Sequence, residues 1–265
     1  MRVFAHQDRA GGNTRRADDG SRLSVYFVGI RNTSRYLLWD FDNTLAHRPG
    51  LWSQCLADIV NVAYPEKKSV RGTFAPYLSR GFPWHSPEVS HCHLSTSDLW
   101  WSALAPTLEQ ALRLGANLDQ SEASGLAAKV RSAQLDAARW VIFEDTVPAL
   151  ELLAEEGWNQ VILSNHMPEL PELVAALGLG KYFTAIHTSG TTGFEKPHPR
   201  AYAAVLETLG STPGRVAMIG DSYPADFVGP RTAGLEAVLV RSSHPQCDTS
   251  FSNLTEAARF ITGRT

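Results

Sequence analysis

Apolar residues in this chain fall into short unbroken runs, separated by stretches where they recur every three or four positions. The runs "YLLWDF", "WVIF", "QVILSN", "FTAIH", "VAMIGD" and "EAVLV" are short and rich in β-branched and aromatic residues. Each predicts a buried strand. "WVIF" fits a hinge, or the approach to the next helix, as well as it fits a strand. The intervening segments carry helix start and stop signals. Thr146 can cap a helix bearing Leu150, Leu153 and Ala154, which Gly157 ends. Pro168 opens "PELPELVAALG", and Pro199 opens "PRAYAAVLETLG", which Gly210 closes. Pro224 starts "PADFVGPRTAG", interrupted by Pro230. Strands alternating with helices of this length predict an α/β fold, a Rossmann-like and mostly parallel sheet covered on both faces.

The alternation breaks after the first strand. "LWSQCLADIVNVAY" places Leu51, Trp52, Cys55, Leu56, Ile59 and Val60 on one helical stripe, and "SDLWWSALAPTLEQALRLG" and "SEASGLAAKVRSAQLDAARW" are also helical in pattern. "SVRGTFAPYLSRGFPWHSPEVSHCHLS" between them is dense in Pro, Gly, His and aromatics and predicts a long loop. A helical module over residues 49–139 is therefore inserted into a discontinuous core of residues 34–48 and 140–265. Residues 1–33 are polar and rich in Gly, Arg and Asp, which predicts a flexible N-terminal tail.

Charge narrows the partners. Lys and Arg total 24 against 27 Asp and Glu, a formal charge of −3 that argues against a large basic nucleic-acid surface. Three scattered cysteines without a CxxC pair suit a reducing compartment, and the expected location is cytoplasmic. No apolar run reaches the roughly 18 residues that suggest a membrane span. Oligomeric state leaves no mark in the sequence.

Ligands of parallel sheets gather beyond the carboxyl ends of the strands. The first strand delivers Asp40 and Asp42 there. "VILSN" delivers Ser164 and Asn165, "VAMIGD" delivers Asp221, and Asp226 follows five residues later. Lys196 lies in "GFEKPHP", just before a helix. Acids, a hydroxyl and a cation thus meet at one sheet edge. Burying adjacent acids is costly without a cation, a hydrogen-bond network or a reaction to compensate.

"DFDNT", "LSN", "EKPHP" and "GDSYPAD", in this order, resemble the four motifs of the haloacid dehalogenase-like hydrolase superfamily on its phosphatase branch. The insertion resembles that superfamily's helical cap of the first type. The resemblance implies a Mg²⁺-dependent phosphomonoesterase acting on a small phosphorylated metabolite. It implies that Asp40 attacks phosphorus and that Asp42 protonates the leaving oxygen and later activates water. Ser164 and Lys196 would grip phosphoryl oxygens. Asp40, Asp221 and the backbone carbonyl of Asp42 would bind the metal. Thr44 would tie the nucleophile loop together. Asp226 would hold a metal-bound water or orient its loop, or simply favour a helix start. Asn165 would donate to phosphate or serve through its backbone. Gly220 would leave space beside the metal or permit a tight turn.

Asp42 departs from the dehalogenase pattern, which lacks this second acid, so hydrolysis of a phosphate ester is favoured over halide displacement. A phosphomutase carries both acids and stays open, as does an inactive regulatory or binding member. His47, near the first motif, and Arg80, Trp84 and His85 in the insertion are candidate substrate contacts. His85, His91, Cys92 and His93 raise zinc, but a structural zinc site wants four well-spaced ligands and the segment reads as a polar loop. Trp52, Trp100 and Trp101 sit in helical patterns and read as core more than as sugar platforms.

Overall fold

The computed structural model describes residues 34–263, so the expected tail over residues 1–33 lies outside the described residues. Among the described residues there are eight strands: β1 (Arg35–Trp39), β2 (Ala46–His47), β3 (Val141–Ile142), β4 (Trp158–Ser164), β5 (Ala185–Thr188), β6 (Val216–Gly220), β7 (Glu236–Val240) and β8 (Ser250–Phe251). Six of them form one parallel sheet in the order β5-β4-β1-β6-β7-β8, with β1 between β4 and β6. Side chains alternate across such a sheet. Leu37 and Trp39 face the cluster that includes Ile162, Val238 and Leu150, whereas Leu38 faces Val161, Met218, Tyr202 and Val205. The helices Thr146–Glu155, Leu170–Ala176 and Leu254–Thr262 contribute to the first cluster, and Pro199–Leu209 to the second. The Trp39 indole, fully buried, donates to Gln160 Oε1 at 3.0 Å, and Gln160 donates on to Leu150 O at 2.8 Å.

"WVIF" is a hinge and not a strand of this sheet. Only Val141 and Ile142 are extended, and they pair antiparallel with Ala46 and His47. The two chain crossings between sheet and insertion thus run side by side. Asp145 stands at the N-cap position of the Thr146 helix without a side-chain capping bond, while the Thr146 hydroxyl donates to Leu45 O at 2.6 Å. Asp145 in turn pairs with Arg241 and accepts from the Leu254 amide at 2.6 Å, at the start of the last helix. The "PELPELVAALG" helix begins at Leu170 instead of Pro168. After Pro224 the chain forms a π-helical turn, Tyr223–Val228, before Gly229–Thr232 becomes α-helical. The strand β8 and the final helix have no counterpart in the expected elements.

The insertion is helical, as expected of a cap. Leu51–Ala63 and Ser97–Ala116 are its long helices, and Gln120–Ala127 and Val130–Gln134 divide the third expected segment. They enclose a second core that includes Leu56, Val60, Phe74, Trp100, Leu104 and Leu112. The segment between the long helices contains only short helical turns. One carboxylate ties this region to the sheet. Glu169, 5% exposed, accepts from Ser97 Oγ, from Trp101 Nε1 at 3.0 Å and from Arg131 Nε at 2.7 Å. Trp101 therefore acts as a hydrogen-bond donor across the boundary.

Removing Glu169 leaves three donors without their acceptor. Glu169→Ala is expected to lower unfolding free energy by about 1–3 kcal/mol, read from the denaturant midpoint. An unchanged midpoint would mean that this carboxylate does not fasten the cap.

Candidate active site

The turn after β1 aims the first two acids. Asp40 continues the parallel pairing through its amide, which donates to Ile219 O at 2.9 Å. Asn43 then takes a left-handed φ of 57°, and its amide donates to Ala46 O at 2.8 Å. Asn tolerates this conformation better than most residues. The reversal points Asp40 and Asp42 in different directions at the sheet edge.

Asp40 is 7% exposed, and its Oδ1 accepts from Ser164 Oγ at 2.8 Å and from Lys196 Nζ at 3.0 Å. Lys196 Nζ also donates to Asp226 Oδ1 at 2.6 Å. Burial by itself would lower the Lys196 pKa, but Asp226 and Asp40 outweigh it and keep the ammonium charged. The lysine is fixed from behind by Asn165. The Asn165 Oδ1 accepts from the Lys196 amide at 2.7 Å, and its Nδ2 donates to Lys196 O at 2.8 Å. Asn165 thus serves through its side-chain amide, spent on the main chain of Lys196.

Asp226 is fully buried, and its Oδ2 accepts from the Ser222 amide at 3.0 Å. A Cβ at Gly220 would stand 2.3 Å from Asp226 Oδ2, so this glycine makes room for that carboxylate. The π-helical turn carries Asp226 into the space, consistent with the frequent placement of such turns at functional sites. Thr44, fully buried, donates to Asp221 Oδ1 at 3.3 Å, tying the turn after β1 to the end of β6. Ser242 Oγ donates to Asp221 O at 2.5 Å.

Ligand oxygens of Asp40, Asp221 and Asp226 lie within 4.8 Å of one another. Burial, with the neighbouring Asp40 and Asp226 charges, pushes the Asp221 carboxyl up to about 7. Burial also raises Asp226, to about 6, against the pull of Lys196. Three crowded carboxylates with one ammonium form a site of hard oxygens that a dication fits: its charge would relieve their repulsion. The Asp42 side chain stands outside this cluster. Its Oδ1 is buried without a hydrogen-bond partner, and burial, then the charges of Asp40 and Asp221, holds its pKa well above the usual carboxylate range.

His166, which no motif flags, directly follows Asn165 at the same strand end. It is 5% exposed, with Nε2 3.9 Å from Asp42 Oδ2 and its ring edge-on to Phe41. Burial lowers its pKa to about 4, so the imidazole is neutral near pH 7 and the contact is not an ion pair. A chamber of about 130 Å³ opens beside Asp42 and His166, and a larger cavity of about 480 Å³ shares its Leu51, Trp52 and Trp84 walls. Of the candidate cap contacts, Trp84 lines both, and His47 lines the larger while stacking on Phe143 at the hinge. Arg80 and His85 line a different cavity within the cap. His91, Cys92 and His93 form no metal-sized group with His85 among the described residues. The His91 amide instead donates to Gly193 O at 2.7 Å, docking this loop against the turn before Lys196. Trp100 is core, whereas Trp52 is partly buried and lines the chambers.

Comparison with known proteins agrees with this geometry. Haloacid dehalogenase-like hydrolase domain-containing protein 3 of Bos taurus is 25% identical over 220 residues, covering 80% of this chain and 83% of the relative. Phosphoserine phosphatase of Thermus thermophilus is 26% identical over 227 residues, covering 78% and 88%. The structure of L-2-haloacid dehalogenase from Xanthobacter autotrophicus superposes with a TM-score of 0.62 at 23% identity, covering 88% of this chain and all of that one, a likeness of fold. The family described as haloacid dehalogenase-like hydrolase matches residues 35–234. With the parallel sheet, the inserted helical cap and the cluster of acids at the carboxyl ends of β1 and β6, the chain belongs to the haloacid dehalogenase-like hydrolases.

Proposed function

We propose that this hydrolase is a Mg²⁺-dependent phosphomonoesterase that cleaves a small phosphorylated metabolite through a phosphoaspartate on Asp40. One observation carries the reading. Asp40 Oδ1 is held by Ser164 and Lys196, which leaves Oδ2 without a hydrogen-bond partner among the described residues, beside a second acid whose pKa burial raises. A nucleophile and a proton donor at one point suit ester cleavage with a poor leaving group.

Asp40 attacks phosphorus, the phosphorus–oxygen ester bond breaks, and the leaving oxygen takes its proton from Asp42. Asp42, now ionised, takes a proton from the water that attacks the phosphoaspartate. Phosphate leaves and both carboxyls return to their starting states. Ser164 and Lys196 flank Asp40 and are positioned to stabilise charge on the phosphoryl oxygens. Asp40 and Asp221, with the Asp42 backbone carbonyl, would hold Mg²⁺, and Asp226 a water of its shell. The ion supplies the positive charge that lets an anionic nucleophile approach a phosphate dianion. Asp42 is also what separates this site from halide displacement, which requires no leaving-group acid. The phosphatase name of the Thermus relative supports the same direction. Unpaired Cys55, Cys92 and Cys247 suit a reducing cytoplasm, and no helix among the described residues is long and apolar enough to cross a membrane.

Asp40→Asn is expected to reduce turnover of phosphate monoesters by at least roughly a thousandfold, because an amide neither attacks well nor balances the metal. Wild-type-like turnover, in protein checked for deamidation, would reject covalent catalysis. The raised carboxyls also set a pH-dependent metal effect. Asp42 and Asp221 hold protons in the folded state that the unfolded chain, with pKa values near 4, has already lost. Metal-free stability therefore falls as pH rises from about 4 through about 7. Mg²⁺ relieves that repulsion only where the carboxylates are ionised. Scanning fluorimetry is expected to show a larger Mg²⁺-induced rise in Tm above neutrality than at about pH 5. A larger rise at the acidic pH, or none at either, would contradict the shared site.

A further inference from the structure

Arg241 directly follows β7 and takes no part in the reaction above, yet its guanidinium meets three groups from two other segments. Its Nε donates to Thr44 O at 3.1 Å, in the turn after β1. Its Nη2 pairs with Asp145 Oδ1, and its Cζ lies 3.8 Å from the centre of the Phe143 ring, both in the hinge segment that returns from the cap. A planar guanidinium can serve a carbonyl, a carboxylate and a ring face together, which a point-like ammonium cannot. The side chains of Arg241 and Asp145 are each 17% exposed, so the pair is largely withdrawn from water.

The backbone is set for this placement. Arg241 has a left-handed φ of 58°, uncommon for a residue with a long side chain. Such conformations persist where surrounding contacts over-determine them, and they concentrate at functional sites. The Arg241 amide donates to Phe251 O at 3.0 Å, and the hydroxyl of the next residue, Ser242, donates to Asp221 O at 2.5 Å. Thr44 reaches Asp221 from the other side, since its hydroxyl donates to Asp221 Oδ1 at 3.3 Å. The turn that aims Asp42 is closed by Asn43 N donating to Ala46 O at 2.8 Å and Leu45 N donating to Phe41 O at 3.0 Å. The hinge grips the same turn: the Phe143 amide and the Thr146 hydroxyl both donate to Leu45 O, at 3.2 and 2.6 Å.

Resting on the phosphatase reading, we infer that Arg241 is a positioning residue: by binding Thr44 O it fixes the turn that presents Asp42, so that the acid keeps register with the hinge that carries the cap. Ser164 and Lys196 reach Asp40 from other segments and do not depend on this contact. Loss of the guanidinium therefore weakens protonation of the leaving oxygen more than it weakens attack by Asp40. A displacement of about 1 Å in such a group costs on the order of a hundredfold in rate.

Two measurements on Arg241→Met test this. The first is amide hydrogen exchange on metal-free protein. Exchange across residues 42–46 is expected to quicken about tenfold, while β4, on the far side of β1 from β7, keeps its wild-type rate. Unchanged exchange in the turn overturns the inference. So does equal acceleration in β4, which marks a general loss of stability. The second compares kcat/KM for phenyl phosphate with that for fluorinated phenyl phosphates, all with Mg²⁺. Fluorine makes the phenolate a better leaving group at little cost in size, so these esters need less help from an acid. Arg241→Met is expected to slow phenyl phosphate about tenfold more than the fluorinated esters. The ratio is taken within one protein, so a reduced folded fraction cancels. Arg241→Lys keeps a cation for Asp145 but not the fork, is expected to shift both readouts in the same direction, and replaces Arg241→Met if that variant does not fold. An unchanged ratio, with Asp40-dependent turnover intact, removes Arg241 from positioning and leaves the phosphatase reading standing. No Asp40-dependent hydrolysis of any of these esters by the wild type removes both.

Discussion

Lys196 sits buried between two carboxylates, 3.0 Å from Asp40 and 2.6 Å from Asp226, and the site depends on that compensated charge. A buried ammonium without partners would lose its proton, and buried acids without a cation would hold theirs. Each neighbouring feature keeps these groups together. Asn165 clips both ends of the Lys196 peptide unit, Gly220 vacates the space that Asp226 fills, and the Ser222 amide holds the other Asp226 oxygen. The parallel sheet makes this affordable, since β1, β4 and β6 lie side by side and end at the same edge. The lysine balances only part of the negative charge. Asp221, pushed up to about 7, records the remainder, and a dication would supply it.

The same edge explains why the cap matters to chemistry. Leu51–Ala63 brings Trp52 to the chamber beside the acid Asp42, while Glu169 fastens Ser97, Trp101 and Arg131 to the segment that follows His166. Burial raises the Asp42 pKa, and on the proposed mechanism a proton donor to an alkoxide needs that shift. Arg241 braces the hinge below, stacked 3.8 Å over Phe143 and donating to Thr44 O at 3.1 Å. The turn after β1 and the hinge therefore share one support.

The sheet was legible because its strands are short apolar runs with few competing readings, and the acids were legible because they sit at fixed offsets from those runs. Asp40, Ser164, Lys196 and Asp221 come together for that reason. What escaped was set by tertiary contact. "WVIF" has the composition of a strand, yet only two of its residues pair, because the crossing into the cap intervenes. Asn165 offered two roles until its amide was found on Lys196. Gly220 offered two as well, and the crowding a Cβ there would meet, 2.3 Å from Asp226 Oδ2, leaves no trace in the sequence. His166 was within reach, one residue beyond a motif. Arg241 and Glu169 were not, since an ordinary Arg after a strand and an ordinary Glu after a proline become distinctive only through the partners the fold gives them.

On the proposed mechanism Asp40 carries the phosphoryl group during turnover. Enzyme quenched during turnover and treated with borohydride would have an acyl phosphate reduced to an alcohol, which turns that aspartate into homoserine. Peptide mass spectrometry is expected to find homoserine at position 40, only in samples that received substrate. Homoserine at another aspartate, or none under conditions where phosphoenzyme is shown to accumulate, would contradict the account.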